Sequence, residues 1–170
     1  QGVSSAASDV YKRQVMPEPR IAITMGDPAG IGPEICIDIL NDPDISGQCT
    51  PIVFGDWSVL QACAEKTNKS FDVSKISAPE FSGIQSPTVF DHAIIDPPNF
   101  TPGTADAKTG RATYDYITSA ILATQAGKVQ AVVTCPANKE AMQAGGVTQP
   151  GHTEICLLYT SDAADDTPCV

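Results

Sequence analysis

Residues 20–40 read RIAITMGDPAGIGPEICIDIL, and this stretch decides the fold class. Its first six residues, RIAITM, form a short segment rich in β-branched side chains, which predicts a buried strand. A loop of glycines and prolines follows it. The segment after the loop is dense enough in apolar residues for a buried helix, and these residues are Ile35, Ile37, Ile39 and Leu40. The stretch therefore predicts one unit of strand, loop and helix.

The same alternation continues along the chain. PIVFGD at 51–56 repeats the strand pattern, and WSVLQACAEK at 57–66 follows it with apolar residues at helical spacing. HAIIDPP at 92–98 predicts a third strand that its prolines end. ADAKTGRATYDYITSAILATQAGK at 105–128 then predicts a long helix. The chain thus continues as strand–helix units.

A last unit completes the pattern. VQAVVTCP at 129–136 predicts a strand, and NKEAMQAGG at 138–146 predicts a short helix that its glycines end. Repeated alternation of this kind is typical of an α/β fold, with a mainly parallel sheet and helices on both faces. The length of 170 residues matches one domain.

Charge and hydropathy exclude several classes of partner. The formal net charge is −10 and no Lys/Arg cluster offsets it, so we expect neither nucleic acid nor an anionic membrane surface as a partner. No apolar run approaches the roughly 20 residues of a membrane span, and the N-terminus lacks the pattern of a signal peptide. We therefore expect a cytoplasmic protein that binds a small ligand. The six cysteines form no C-x-x-C pair, which favours reduced thiols.

The two ends of the chain do not match the middle. The head, QGVSSAASDVYKRQ at 1–14, and the tail, CLLYTSDAADDTPCV at 156–170, lack hydrophobic periodicity and helix caps. DVYKRQ can be encoded by GATGTGTATAAGAGACAG. The reverse complement of that string, read from its second base, encodes CLLYTS, the first six residues of the tail.

Both ends can therefore come from one short DNA element read on opposite strands. That element resembles the mosaic end of a sequencing-library transposon. We accordingly expect 1–14 and 156–170 to be foreign, adapter-like sequence, and 15–155 to be the natural protein, with the helical pattern ending at Ile155. The alternative is a natural short tail.

The first candidate site is TMGDPAGIGPE at 24–34, between a predicted strand and helix. Its spacing, G-x-x-x-G-x-G, is neither that of a Rossmann dinucleotide loop nor that of a P-loop. Free N–H groups at a helix N-terminus can bind an anion, but the glycines can also serve only a tight turn. Asp27 is a candidate cleft residue, because the carboxyl ends of strands open into the crevice of such sheets.

Two further loops carry polar candidates. In TCPANKEA at 134–141, Lys139 could place a cation near an anionic substrate, or be an ordinary solvated lysine. In PGHTE at 150–154, His152 or Thr153 could donate or accept hydrogen bonds beside a helix N-terminus. Taken alone, the residues favour a structural or solvated role at each position. His92 is interpreted as structural or exposed.

Taken together, these motifs resemble those of a known family. GDPAGIGPE, a PG-x6-G pattern at Gly103 and Gly110, TCPANKEA and PGHTE follow in this order. In that order they resemble the 4-hydroxythreonine-4-phosphate dehydrogenase family of vitamin B6 (pyridoxal phosphate) synthesis. The resemblance spans nearly all of 15–155, whereas family members are much longer. It implies that the chain is the N-terminal part of a two-lobed dehydrogenase.

The resemblance implies an NAD-dependent oxidation of a small phosphorylated amino acid, 4-phosphohydroxythreonine, followed by loss of its carboxyl group as CO2. It assigns substrate binding to His152 and Thr153, leaves Asp27 and Lys139 as secondary cleft candidates, and names no catalytic residue in this chain. A divalent metal (Zn, Mg or Co) would assist, but its histidine ligands are expected in the missing half. The full-length protein would be a homodimer, and the fragment alone would be inactive.

Two alternatives remain open at this point. One is a related dehydrogenase of 4-phosphothreonate or 4-phosphoerythronate, which would share the same loops and metal. The other is a non-enzymatic module that binds a phosphorylated metabolite, which neither the anion-type loop nor the acidic surface excludes.

Overall fold

The computed structural model describes residues 18–160 apart from 79, 98, 99 and 150. The predicted head at 1–14 and residues 161–170 of the predicted tail lie outside the described residues. Five strands form one sheet, and their bounds are β1 Arg20–Thr24, β2 Thr50–Gly55, β3 Ser74–Ile76, β4 Thr88–Asp91 and β5 Ala131–Thr134. The strand order is β3-β4-β2-β1-β5, and every neighbouring pair is parallel.

The described helices lie between these strands or follow the last one. Their bounds are α1 Gly32–Asn41, α2 Pro43–Ser46, α3 Trp57–Thr67, α4 Ala107–Gln125, α5 Lys139–Ala144 and α6 His152–Thr160. Helices α1 and α3 pack against each other, whereas α4 packs on β1, β2 and β5. Right-handed crossovers place the two groups on opposite faces of the sheet. The predicted α/β fold is confirmed.

The core forms around β2, the central strand. All six of its residues are buried, and Ile52 lies in register with Ala22 of β1 and Thr88 of β4. A parallel sheet covered on both faces needs such continuous apolar strands, which is the pattern of PIVF. The largest fully buried side chains of the main core include Phe54, Phe81, Met25, Ile37, Ile52, Leu60 and Tyr116.

A second, smaller apolar cluster lies where α4, α5 and α6 meet. Its buried members are Ile117, Ile121, Met142, Val147 and Ile155. The approach of α5 to α4 is close, because a Cβ on Gly110 would lie 1.9 Å from the Ala141 carbonyl oxygen. Glycine is therefore required at position 110. This cluster fixes the start of α6 relative to the sheet.

Successive strands are added first on one side of β1 and then on its other side. From β1 the chain proceeds to β2 and β4 on one side, and then crosses to β5 on the other side. The carboxyl ends of β1 and β5 are therefore neighbours at a switch point, where α/β proteins bind ligands. At the outer edge of the sheet β5 is largely exposed, and Val133 has 51% of its surface accessible.

The strand predicted at 92–98 corresponds to β4. It spans Thr88–Asp91 rather than 92–98, because Thr88 and its neighbours pair in register with β2. The extended backbone ends just beyond it, since Ala93 has a φ of +51°, in the left-handed region. The short elements β3 and α2 were not predicted from the sequence at all.

Helix α6 continues past the predicted boundary at Ile155 and ends at Thr160. The extension packs against α4, where the Tyr159 and Tyr114 hydroxyls lie 3.2 Å apart. Helical structure in 156–160 does not depend on where these residues come from, so the foreign origin of the tail stays a prediction. None of the described helices is long and apolar enough to cross a membrane.

Candidate functional site

The glycine-rich loop after β1 has a backbone that only glycine permits at two positions. Gly26 has a φ of +73°, and a Cβ there would lie 2.3 Å from the Pro136 carbonyl oxygen. A Cβ on Gly32 would lie 1.9 Å from the Met25 carbonyl oxygen. Both contacts exclude any larger residue. These two glycines therefore bring the loop and the start of α1 against the end of β5.

Hydrogen bonds join this loop to the one after β5. The Asp27 N–H donates to the Pro136 carbonyl oxygen at 3.0 Å, and the Cys135 N–H donates to the Thr24 carbonyl oxygen at 3.0 Å. The Asp27 side chain accepts from the Ala29 N–H at 2.9 Å, and the residue is only 4% exposed. The observed role of the Asp27 carboxylate is thus to hold its own loop.

The PG-x6-G pattern secures the same loop from the other side. The Gly103 N–H donates to the Ala29 carbonyl oxygen at 2.7 Å. One turn after Gly110, the Thr113 hydroxyl donates to the Gly26 carbonyl oxygen at 3.1 Å. Three separate segments, at Cys135–Pro136, Gly103 and Thr113, therefore hold one glycine loop, which makes it a fixed wall of the switch point.

The polar candidates Lys139 and His152 lie close together. Lys139 begins α5 and His152 begins α6. A Cβ placed on Gly151 would lie 3.7 Å from the Lys139 Cε, so the lysine stem lies against the start of α6. His152 is half-buried, while Lys139 and Thr153 are exposed. The Glu154 carboxylate lies at the same place, since its Oε2 atom would be 3.3 Å from a Cβ on Gly151, so this surface carries a cation, a carboxylate and hydrogen-bonding groups.

The ring of His152 has unused hydrogen-bonding capacity. Its Nε2 atom is buried and has no hydrogen-bond partner among the described residues. Burial, and secondarily the positive charge of Lys139, lower the pKa of His152 below its ordinary value. The ring is therefore neutral at pH 7. A neutral imidazole with an unpaired nitrogen can accept or donate one hydrogen bond to a ligand.

The structure brings some of the predicted residues together and separates others. Lys139, His152 and Thr153 form one group at the starts of α5 and α6. Asp27 joins this group only through the loop of Pro136, and within the described part of the chain it shares no hydrogen bond with His152. Pro150, which the sequence analysis included in the motif, lies outside the described residues.

A buried polar network that the sequence analysis did not find lies at the end of β2. The Asp56 carboxylate is fully buried and accepts hydrogen bonds from Ile94 N–H, Ile95 N–H and the Tyr116 hydroxyl, at 2.8, 2.8 and 2.5 Å. Burial raises the pKa of Asp56 despite these three bonds. Only the position of Asp56 after a strand was a signal in the sequence. Its partners are 38 to 60 residues away.

The residues that the structure describes do not form a metal site. Within 18–160, excluding the few undescribed positions, no group of three or more His, Cys, Asp or Glu side chains could hold a metal ion. At the start of α1, the N-cap residue Ile31 makes no side-chain hydrogen bond to the first turn. The first-turn N–H groups are thus not occupied by a cap, which suits an anionic group of a ligand.

Known proteins are similar to this chain in sequence. Residues 47–164 match the model of the family described as "Pyridoxal phosphate biosynthetic protein PdxA". A D-threonate 4-phosphate dehydrogenase from Cupriavidus necator is 38% identical over 144 residues, which cover 84% of this chain and 43% of the relative. A 4-hydroxythreonine-4-phosphate dehydrogenase from Desulforapulum autotrophicum is 37% identical over 139 residues, covering 81% and 41%.

The fold agrees as well. The crystal structure of a 4-hydroxythreonine-4-phosphate dehydrogenase from Burkholderia phymatum superimposes with a TM-score of 0.75 at 35% identity, over 84% of this chain and 44% of that one. The chain spans less than half the length of the curated relatives that it matches. Because the family model matches more than half of its residues, the chain belongs to the PdxA family.

Proposed function

We propose that this chain is the substrate-binding N-terminal part of an NAD-dependent dehydrogenase that oxidises and decarboxylates 4-phosphohydroxythreonine. The observation that carries the proposal is that Lys139 lies near a neutral, half-buried His152, at the starts of neighbouring helices. Membership of the PdxA family supports the reaction class.

The side chains of this group suit a phosphorylated amino acid. In the proposal the Lys139 ammonium attracts the anionic substrate, and His152 and Thr153 orient it by hydrogen bonds. The charge of Lys139 also disfavours protonation of His152, so the ring stays a neutral hydrogen-bonding group. Asp27 acts on the substrate only indirectly, because its carboxylate holds the glycine loop.

The rest of the chemistry is assigned to residues beyond this chain. When bound, NAD would accept a hydride from the substrate alcohol. No step is assigned to a divalent metal, since the described residues provide no ligand set for one. We also propose that the complete protein is a homodimer, that residues 1–14 and 156–170 are foreign, and that the 170-residue chain alone is inactive.

A second substrate is favoured by a specific observation. Relatives of nearly equal similarity are named for D-threonate 4-phosphate and for 4-hydroxythreonine-4-phosphate. Both molecules carry a phosphate and a carboxylate, so the pair of Lys139 and His152 suits either one. The substrate test must therefore include both, together with 4-phosphoerythronate.

The experiment is a chimaera that joins residues 15–155 to the remaining C-terminal part of the Desulforapulum autotrophicum relative. NADH formation is followed with each substrate and a divalent metal. We expect activity with at least one substrate. His152→Ala and Thr153→Ala should each lower kcat/KM about ten- to a hundredfold, the effect of losing one strong hydrogen bond to substrate.

His92→Ala is the matched control, because His92 packs among aromatic side chains and lies outside the proposed site. It should change kcat/KM less than about threefold. If the chimaera bound substrate without forming NADH, a binding module would replace the enzyme. A large effect of His92→Ala with none of His152→Ala would show that the site assignment is wrong.

A further inference from the structure

Two cysteine thiols are in contact directly beneath the glycine loop. Cys36 lies in α1 and Cys135 is the first residue after β5, so 99 positions of sequence separate them. Their sulfur atoms are 3.7 Å apart, and the two residues are 0% and 5% exposed. This is a buried pair of nucleophilic groups that the proposed substrate-binding role does not use.

Backbone contacts hold both cysteines in place. The Cys135 N–H bonds to Thr24 of β1, and a Cβ on Gly32 would lie 3.4 Å from the Cys135 Cβ. The absence of a side chain at Gly32 therefore lets the first turn of α1 reach the end of β5. A disulfide would require the two sulfur atoms to approach from 3.7 Å to roughly 2.05 Å.

The two thiols are not chemically equivalent. The hydrogen bond from Cys36 lowers the pKa of the Cys135 thiol. The same hydrogen bond, together with burial, raises the pKa of Cys36. Cys135 is also the more exposed of the two, at 5% against 0%, so its sulfur is assigned as the one that peroxide reaches and Cys36 as the resolving thiol beside it.

We propose that Cys36 and Cys135 are a redox modification site, at which hydrogen peroxide forms a reversible intramolecular disulfide. Cys135 sulfur attacks one peroxide oxygen, the O–O bond breaks, and the products are a sulfenic acid and one water. The Cys36 sulfur then attacks the Cys135 sulfur, forming the S–S bond and releasing the second water. The two sulfurs together lose two electrons and the peroxide gains them.

The disulfide would connect α1 to the exposed edge strand β5. Both loops of the switch point, the one at Asp27 and the one at Pro136, originate within a few residues of the bridge. Because it closes a ring of about 100 residues, the bridge should restrict the unfolded chain strongly. Oxidation should therefore reduce the motion of the two loops at the switch point.

The test maps disulfides in the complete 170-residue chain after peroxide treatment. Free thiols are blocked by alkylation before unfolding, and the protein is cleaved at Asp, Glu, Lys and Arg. Acidic residues separate Cys36, Cys49 and Cys63 onto different peptides. Mass spectrometry should find a cross-linked peptide pair that contains Cys36 and Cys135 and that dithiothreitol separates.

Matched variants make the assignment specific. Cys63→Ser and Cys49→Ser should keep the cross-link, whereas Cys135→Ser should abolish it. Oxidation should raise the midpoint of thermal unfolding by about 10 °C in the parent chain and leave it unchanged in Cys135→Ser. Should Cys135→Ser not fold, the peptide map of the parent chain still decides.

Two outcomes would overturn the proposal. One is a map in which Cys135 pairs with Cys63 or with a second chain. The other is full recovery of both Cys36 and Cys135 as alkylatable thiols after peroxide treatment and unfolding. Either result is independent of the proposed dehydrogenase function, since the mapping uses no substrate and no cofactor.

Discussion

The two histidines of the chain lie in regions of opposite character. The ring of His92 packs against Phe90 and Tyr116, with centroids 4.7 and 5.2 Å away, and its Nδ1 atom bonds to the Phe90 carbonyl oxygen at 3.1 Å. His152 begins α6 beside the Lys139 stem, next to the exposed Thr153. Each ring has a buried Nε2 atom that finds no hydrogen-bond partner within the described part of the chain.

The surroundings, rather than the unpaired nitrogen, distinguish the two regions. Around His92 the other polar groups are paired with one another, since Asp56 accepts three hydrogen bonds and one of them comes from Tyr116. Around His152 the neighbouring polar groups, Lys139, Thr153 and Glu154, are exposed. A paired and sealed network stabilises a fold, whereas unpaired and accessible groups remain available to a ligand.

The largest effect should come from removing the centre of the sealed network. Asp56→Ala leaves two backbone N–H groups and the Tyr116 hydroxyl without an acceptor inside the core. We expect the free energy of unfolding to fall by about 3–4 kcal/mol, measured by urea denaturation.

Asp38→Ala is the control, because Asp38 is an exposed carboxylate whose ion pair with Lys69 lies at the surface. It should change the free energy of unfolding by less than about 1 kcal/mol. Equal effects of the two substitutions would mean that the Asp56 network does not stabilise the core, and the contrast between the two regions would fail.

A smaller effect should follow from removing one hydroxyl of the network. Tyr116→Phe removes one of the two hydrogen bonds that Asp56 Oδ2 accepts and leaves the one from the Ile95 N–H, so it should lower the free energy of unfolding by about 1–2 kcal/mol. Tyr114→Phe is a matched control on the same helix, and should cost about 0.5 kcal/mol or less because its hydroxyl is only half-buried.

The same pair of variants tests the pH dependence. Burial, and then the Asp56 carboxylate, raise the pKa of Tyr116 well above its ordinary value. Above about pH 10 the unfolded phenol loses its proton while the folded one keeps it, so stability falls as pH rises. Tyr116→Phe should remove this loss. An alkaline decline that is as steep in Tyr116→Phe as in the parent would contradict the raised pKa.

The elements that local pattern determines were predictable. RIAIT, PIVFG and the helix Ala107–Gln125 carry their own periodicity, and all three are where the sequence placed them. The strand predicted at 92–98 was misplaced and corresponds to β4, because HAIIDPP has a similar apolar density to TVFD. Only pairing with β2 and the positive φ of Ala93 decide between the two segments, and neither is visible in one sequence.

The candidate site was predictable as motifs and not as geometry. The sequence placed Lys139 and His152 in separate motifs, and only the packing of α4, α5 and α6 brings them together. The Asp56 network and the pair of Cys36 and Cys135 depend on contacts across at least 38 positions. Side-chain pairs of that separation have no local signal, since their spacing is fixed by topology.

The smallest effect tests the electrostatic interaction between Lys139 and His152. Burial and the charge of Lys139 lower the pKa of His152. Lys139→Met keeps most of the lysine stem and removes its charge, so the pKa of His152 should rise but stay below the ordinary value, because burial remains. An NMR titration of the His152 ring protons measures this. The same change should reduce the loss of stability on acidification below about pH 6.5, where only the unfolded histidine binds a proton.

Lys128→Met, at the far end of α4, is the control and should leave the titration of His152 unchanged. If the pKa of His152 were the same in the parent and in Lys139→Met, the two residues would not interact electrostatically. Lys139 and His152 would then be two independent side chains rather than one site.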